Sequence, residues 1–89
     1  MPTISMFYGI IVYIFYEDNV RHNIPHIHVR YQDNKAAVSI KDGSVLAGKF
    51  PSKQLKLVQA WIEIHYDELL ANWELAISGE KPFRIAPLQ

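Results

Sequence analysis

The spacing of apolar positions changes along the chain, from a period of two in the first half to about 3.6 in the second. Tyr8 to Tyr16 is rich in Ile, Val, Tyr and Phe on both alternate sets, which predicts a central strand covered on both faces, with Gly9 as a bulge or point of close approach. His26 to Gln32 alternates cleanly. Ile27, Val29 and Tyr31 take one face and His26, His28, Arg30 and Gln32 the other, as in a half-buried strand. Asp33-Asn34-Lys35 reads as a turn, Ala36 to Ile40 as a third strand, Asp42-Gly43 as a hairpin signal and Ser44 to Lys49 as a short fourth strand.

Pro51-Ser52 then opens a helix with Ser52 as N-cap. Its apolar set is Leu55, Val58, Trp61, Ile62, Leu69, Trp73 and Ile77, and Gly79 stops it. One helix from Lys53 to Ser78 would be about 39 Å long, which is long for so small a domain. A break near His65-Tyr66-Asp67 lets His65 close one helix while Asp67 and Glu68 open the next. Phe83-Arg84-Ile85 is strand-like and suits a sheet edge or a partner. The predicted architecture is α+β: one domain over 1–89, with an antiparallel meander of about four strands packed against a long or bent C-terminal helix. A short terminal strand or extended tail completes it.

Composition adds exclusions. Hydrophobic residues make up 49%, charged residues 20%, and there are five Tyr, four Phe and two Trp, which is the make-up of a chain that packs a core. No cysteine is present, so disulfide scaffolds, thiolate metal sites and cysteine nucleophiles are excluded and a reducing, cytoplasmic setting is expected. The apolar run from Met6 to Tyr16 lacks a preceding basic residue and is too short to cross a bilayer, so no membrane role is expected.

Net charge is zero, but its distribution is uneven. Between Arg21 and Lys56 the basic residues dominate, whereas Leu57 to Glu80 holds Glu63, Asp67, Glu68, Glu74 and Glu80 with no basic residue. The acidic set reads as a solvated helix face, and Trp61, Trp73, Tyr8, Tyr13 and Tyr16 read as core rather than as stacking platforms. Lys53 and Lys56 at a helix start are candidate phosphate contacts, although ordinary solubility is the stronger reading for them.

The chemically loaded segment is His22-Asn23-Ile24-Pro25-His26-Ile27-His28-Val29-Arg30. A strand places His26 and His28 on one side with Cα atoms about 6.6 Å apart, and Arg30 extends the row. Three chemistries fit. The imidazoles can act as general base and acid on a phosphodiester with Arg30 against phosphate charge, needing no cofactor. They can chelate a divalent transition metal with His22, Asp18 or His65 completing the sphere. Or the row binds an acidic partner or nucleic-acid phosphate without reaction. Histidines on the solvent face of a strand are also compatible with no chemical role, and His65 is explained by the helix dipole.

A resemblance extends this reading. Met1-Pro2-Thr3-Ile4-Ser5 with Phe7-Tyr8-Gly9-Ile10, Pro25-His26-Ile27-His28-Val29, Gly48-Lys49-Phe50-Pro51, Trp61, Leu69-Leu70-Ala71-Asn72-Trp73 and Ile85-Ala86-Pro87-Leu88 look like the bacterial domain-of-unknown-function family 4160 over nearly the whole chain. Phe50 departs from an expected Leu or Ile, a packing change. The family's Pro-His-x-His pattern falls on Pro25, His26 and His28, with His22 belonging to it as well. The resemblance implies a small protein encoded beside another short domain as a candidate toxin-antitoxin pair, this chain being the toxin and its partner a small antitoxin-like protein. The leading expectation is a toxin-like small nuclease acting on RNA, with His26, His28 and His22 in proton transfer or metal binding, Arg30 at phosphate, and Lys53 and Lys56 in substrate binding. The alternative is a non-enzymatic protein-protein interaction module whose β-edge and histidine row dock a partner subunit, as a homo- or hetero-oligomer.

Overall fold

The computed structural model describes residues 3–15 and 24–89. Five antiparallel strands, β1 (Thr3–Phe7), β2 (Ile10–Tyr13), β3 (His26–Tyr31), β4 (Asn34–Ser39) and β5 (Val45–Gly48), form one sheet in sequential order. Two helices follow, α1 (Ser52–Ile64) and α2 (Tyr66–Ile77). This is the expected α+β meander with one strand more than the pattern implied.

The extra strand is β1, which lies wholly before the predicted strand Tyr8 to Tyr16, and that strand is shortened to β2, Ile10–Tyr13. Phe7 pairs with Ile10, so Tyr8 and Gly9 are a two-residue hairpin loop, and both have positive φ, 50° and 77°. That is the backbone of a type I′ turn, whose twist matches the strands it joins. Gly9 serves there by its left-handed freedom rather than as a bulge. The next turn also shifts by one residue: Tyr31 pairs with Asn34, so Gln32-Asp33 is the loop, and Asn34 and Lys35 belong to β4. Tyr16, at the end of the predicted first strand, lies outside the described residues.

The Asp42-Gly43 signal is found in the β4–β5 connection. Asp42 Oδ1 accepts from the Ser44 backbone N–H at 3.0 Å and from Ser44 Oγ at 2.7 Å, and Gly43 N–H donates to the Ser39 carbonyl at 2.9 Å. Those Ser44 bonds, backbone first, hold the Asp42 carboxyl below the ordinary carboxylate range. At the far end of β5, Gly48 has φ 83°, and a Cβ there would lie 2.3 Å from the Lys35 carbonyl oxygen, so only glycine fits.

The N-cap of α1 is Pro51, not Ser52, and no side chain caps it. Pro51 holds φ at −59° and its carbonyl accepts from Leu55 N–H at 2.8 Å, so Ser52 is already the first helical residue. The expected break falls at His65, φ −110° and ψ 29°, and Asp67 and Glu68 occupy the first turn of α2. Val58, Trp61, Ile62, Leu69 and Trp73 are buried as the helical pattern required, whereas Ile77 is 44% exposed. At the end of α2, Gly79 N–H bonds Ala76 O at 3.1 Å and Glu80 N–H bonds Leu75 O at 2.9 Å, a Schellman motif with Gly79 at φ 79°.

Both helices pack on one face of the sheet. Trp61 meets the Phe7 ring at 5.3 Å between centroids, and the shared core includes Ile10, Val12, Ile27, Val29, Val38 and Leu69. The chain after α2 is an extended tail rather than a strand. Asn72, fully buried, donates from Nδ2 to Phe83 O at 2.8 Å and accepts from Phe83 N–H at 3.0 Å. Ile85 N–H then bonds Ile4 O on β1 at 2.8 Å, and Trp61 Nε1–H bonds Ala86 O at 2.8 Å. The tail is therefore fastened to α2, β1 and α1 in turn.

Asn72→Ala is expected to lower stability by about 1–3 kcal/mol, because it removes both partners of the Phe83 backbone groups. Urea denaturation checks the loss, and limited proteolysis should cut the variant first after Gly79. An unchanged midpoint with a resistant tail would contradict the fastening role.

Candidate functional site

The geometry of the histidine row follows from the position of β3 in the sheet. β2 and β4 flank it, with Val12 opposite Val29 and Ile27 opposite Val38, so the apolar set of β3 is fixed toward the helices. His26, His28 and Arg30 must then face the other side. The same registers bring Tyr13 beside His28, Ile11 beside Arg30, and Lys35 beside Arg30.

The two ends of this face differ. At one end His26 is 3% exposed, Ser39 is buried, and the Trp73 ring of α2 lies 4.9 Å from the His26 ring. His26 Nδ1 lies 2.9 Å from the Ile24 carbonyl, which makes Nδ1 the protonated nitrogen donating to that oxygen. At the other end Arg30 and Lys35 are exposed. Arg30 Nε donates to Gln32 O at a long 3.4 Å.

His28 sits between the two ends. Its ring meets His26 edge-on at 5.1 Å and stacks with Phe15 at 4.2 Å and Tyr13 at 5.5 Å. Tyr13 and Phe15 are themselves nearly parallel, 7° apart in plane. His28 Nε2 is shielded from solvent and has no hydrogen-bond partner among the described residues. Burial, helped by the adjacent His26 imidazole, pushes the His28 pKa down to about 4, so the ring is neutral at physiological pH.

Phe15 and Lys35 belong to this face and carried no site signal in the sequence, and Tyr13, expected in the core, belongs to it as well. Tyr13 is half-buried on the face away from the helices rather than in the core, and Tyr8 is 61% exposed in its turn. Because both alternate sets of Ile10 to Phe15 are apolar, the pattern alone does not tell which set meets the helices. The pairing with the cleanly alternating β3 does. Trp61 and Trp73 are core, as expected.

The remaining candidates sit elsewhere. Lys53 and Lys56 are exposed near the start of α1, in the helix layer across the sheet from His28. His65 Nδ1 pairs with Glu68 Oε1 at 2.6 Å and its ring packs near Trp61 at the helix junction. His22 and Asp18 lie outside the described residues. Among the described residues no three His, Asp or Glu side chains come together as a metal site. None of the described helices is long and apolar enough to cross a membrane.

Fold and face together define a small α+β protein: a five-stranded meander backed by two helices on one side and carrying a histidine, aromatic and cationic row on the other. The family model for the domain of unknown function DUF4160 matches residues 9–74, more than half of the chain. The chain belongs to that family. No curated protein and no solved structure matches it.

The depressed His28 pKa carries a stability consequence. Its folded value lies below the unfolded value of 6.5, so the stabilising contribution is complete above about pH 6.5 and is lost as pH falls toward 4. His28→Phe keeps a stacked ring and removes the titration. Denaturation midpoints measured from pH 7 to pH 4 should fall more steeply for the wild type than for the variant, whereas parallel curves would contradict the buried neutral imidazole.

Proposed function

We propose that the chain is the toxin member of a bacterial toxin-antitoxin pair, that it acts on RNA through the open sheet face, and that its cognate partner is a small antitoxin-like protein. The observation that carries this reading is the grouping of His28 with exposed Arg30 and Lys35 on one face, in strands whose register leaves them no other side. Arg30 and Lys35 are the groups to meet phosphate, Arg30 by its planar fork and Lys35 as a point charge.

Cleavage of the bound RNA would use the neutral His28 ring to take the proton of a ribose 2′-hydroxyl as its oxygen bonds to the adjacent phosphorus, while the P–O5′ bond breaks and the leaving 5′-oxygen takes a proton from water. Nε2 is covered in the unbound protein, so substrate must displace the cover before that step. His26 is buried and acts as a positioning residue, packed edge-on against His28. A symmetrical pair of histidines exchanging base and acid roles has less support, because only one of the two is near the open end.

Induced expression of the wild type alone in a bacterial host is expected to lower colony counts sharply. His28→Ala and Arg30→Ala should restore growth at equal protein levels. RNA from the wild-type culture shows whether toxicity comes with discrete cleavage, the nuclease form of the reading, or with intact RNA, the sequestering form. Equal toxicity of all three proteins, or none in any of them, would sink the proposal.

A further inference from the structure

We infer that the open sheet face binds single-stranded RNA by stacking unpaired bases on the Tyr13-Phe15-His28 rings while Arg30 and Lys35 hold the intervening phosphates; this rests on the RNA-directed reading above and specifies its substrate class. Three rings, from Tyr13 of β2, His28 of β3 and Phe15 just beyond the end of β2, lie within 15° of parallel, with centroids 4.2 to 6.2 Å apart, and all three are partly exposed. Parallel rings at a surface offer π-faces that any base can cover, a contact duplex RNA cannot make because its bases are already stacked on one another.

The surroundings fit a strand of alternating bases and phosphates. Tyr13 and Lys35 together separate two shallow hollows, one of about 230 Å³ against Thr3, Ile11 and Arg30, the other of about 260 Å³ against His28, Ala37 and Ala47. The second has a floor of small side chains, ending at Gly48, on which a flat ring can lie. No acidic residue lines either hollow. Arg30 borders the first hollow and Lys35 both, so a cation stands at the boundary where the phosphate between two bases would pass. Met6, 56% exposed and paired with Ile11, extends the apolar flank beyond the first hollow.

A neutral His28 belongs to this arrangement. An uncharged imidazole stacks beside Phe15 without the desolvation cost of a cation, which leaves the positive charge to Arg30 and Lys35 at the rim. The division gives sequence-tolerant contact at the rings and salt-dependent contact at the edge.

Fluorescence anisotropy with a labelled single-stranded oligouridylate of about eight nucleotides tests the assignment against an RNA duplex of the same length, phosphatidylserine vesicles and polyglutamate. The single strand is expected to bind at least tenfold more tightly than the duplex. Tyr13→Leu should weaken it by about 5- to 150-fold while Tyr13→Phe keeps it. Arg30→Ala, an exposed change that leaves folding intact, should lower the slope of log affinity against log salt by about 0.7. Equal binding of duplex, preference for the vesicles or polyglutamate, or full binding by Tyr13→Leu would overturn the inference. A protein that binds the single strand in this way but is not toxic would support the stacking face and remove the toxin reading alone.

Discussion

Everything distinctive about this fold depends on the register of β3, the middle strand of the sheet. Its two faces differ completely: Ile27 and Val29 are fully buried in the core, while His26, His28 and Arg30 line the other side. Side chains alternate with a period of two, so a slip of one residue against β2 or β4 would drive the imidazoles into the helices and expose the aliphatics. Hydrophobic burial under Trp61 and Leu69 is thus what aims His28 and Arg30 away from the helices, whereas His26 is enclosed by Trp73 at the strand's start. The same pairing recruits Tyr13 from β2 and Lys35 from β4, residues whose own segments do not announce a site.

The helix layer and tail convert this two-faced sheet into one with a closed and an open end. Trp73 of α2 reaches His26, and the following turn of chain is held by Asn72 through both backbone groups of Phe83. From there the tail bonds β1 through Ile85 and α1 through the Trp61 indole. His28 is left at the transition between dry and wet surroundings. This position accounts at once for its neutral ring, the lack of a partner for Nε2 among the described residues and its contact with two aromatic neighbours.

Where one physical signal dominated, the sequence was a good guide to structure. The clean alternation of Ile27, Val29 and Tyr31 against His26, His28 and Arg30 placed the row on one face, and the acidic residues after His65 marked the helix break. Where two signals coincided, it was not. Ile10 to Phe15 is apolar on both sets, which hid the outward aspect of Tyr13 and Phe15, and a tyrosine at positive φ concealed the first hairpin. Pro51 took the cap position because its fixed φ suits a helix entrance, overriding the preference for a serine side chain. The lowered pKa of His28 arises from burial and from His26 beside it, and no local pattern encodes that environment.

The face carrying His28 and Arg30, and not the helix layer, is the surface proposed to meet single-stranded RNA. Mapping amide chemical-shift changes by NMR as oligouridylate is titrated into the uniformly labelled protein tests this most directly. The largest changes are expected at Tyr13, His28, Arg30, Lys35 and Ala47, with Lys53 and Lys56 on α1 unmoved. Changes centred on α1, or on the Asp42 turn, with β3 silent would contradict it.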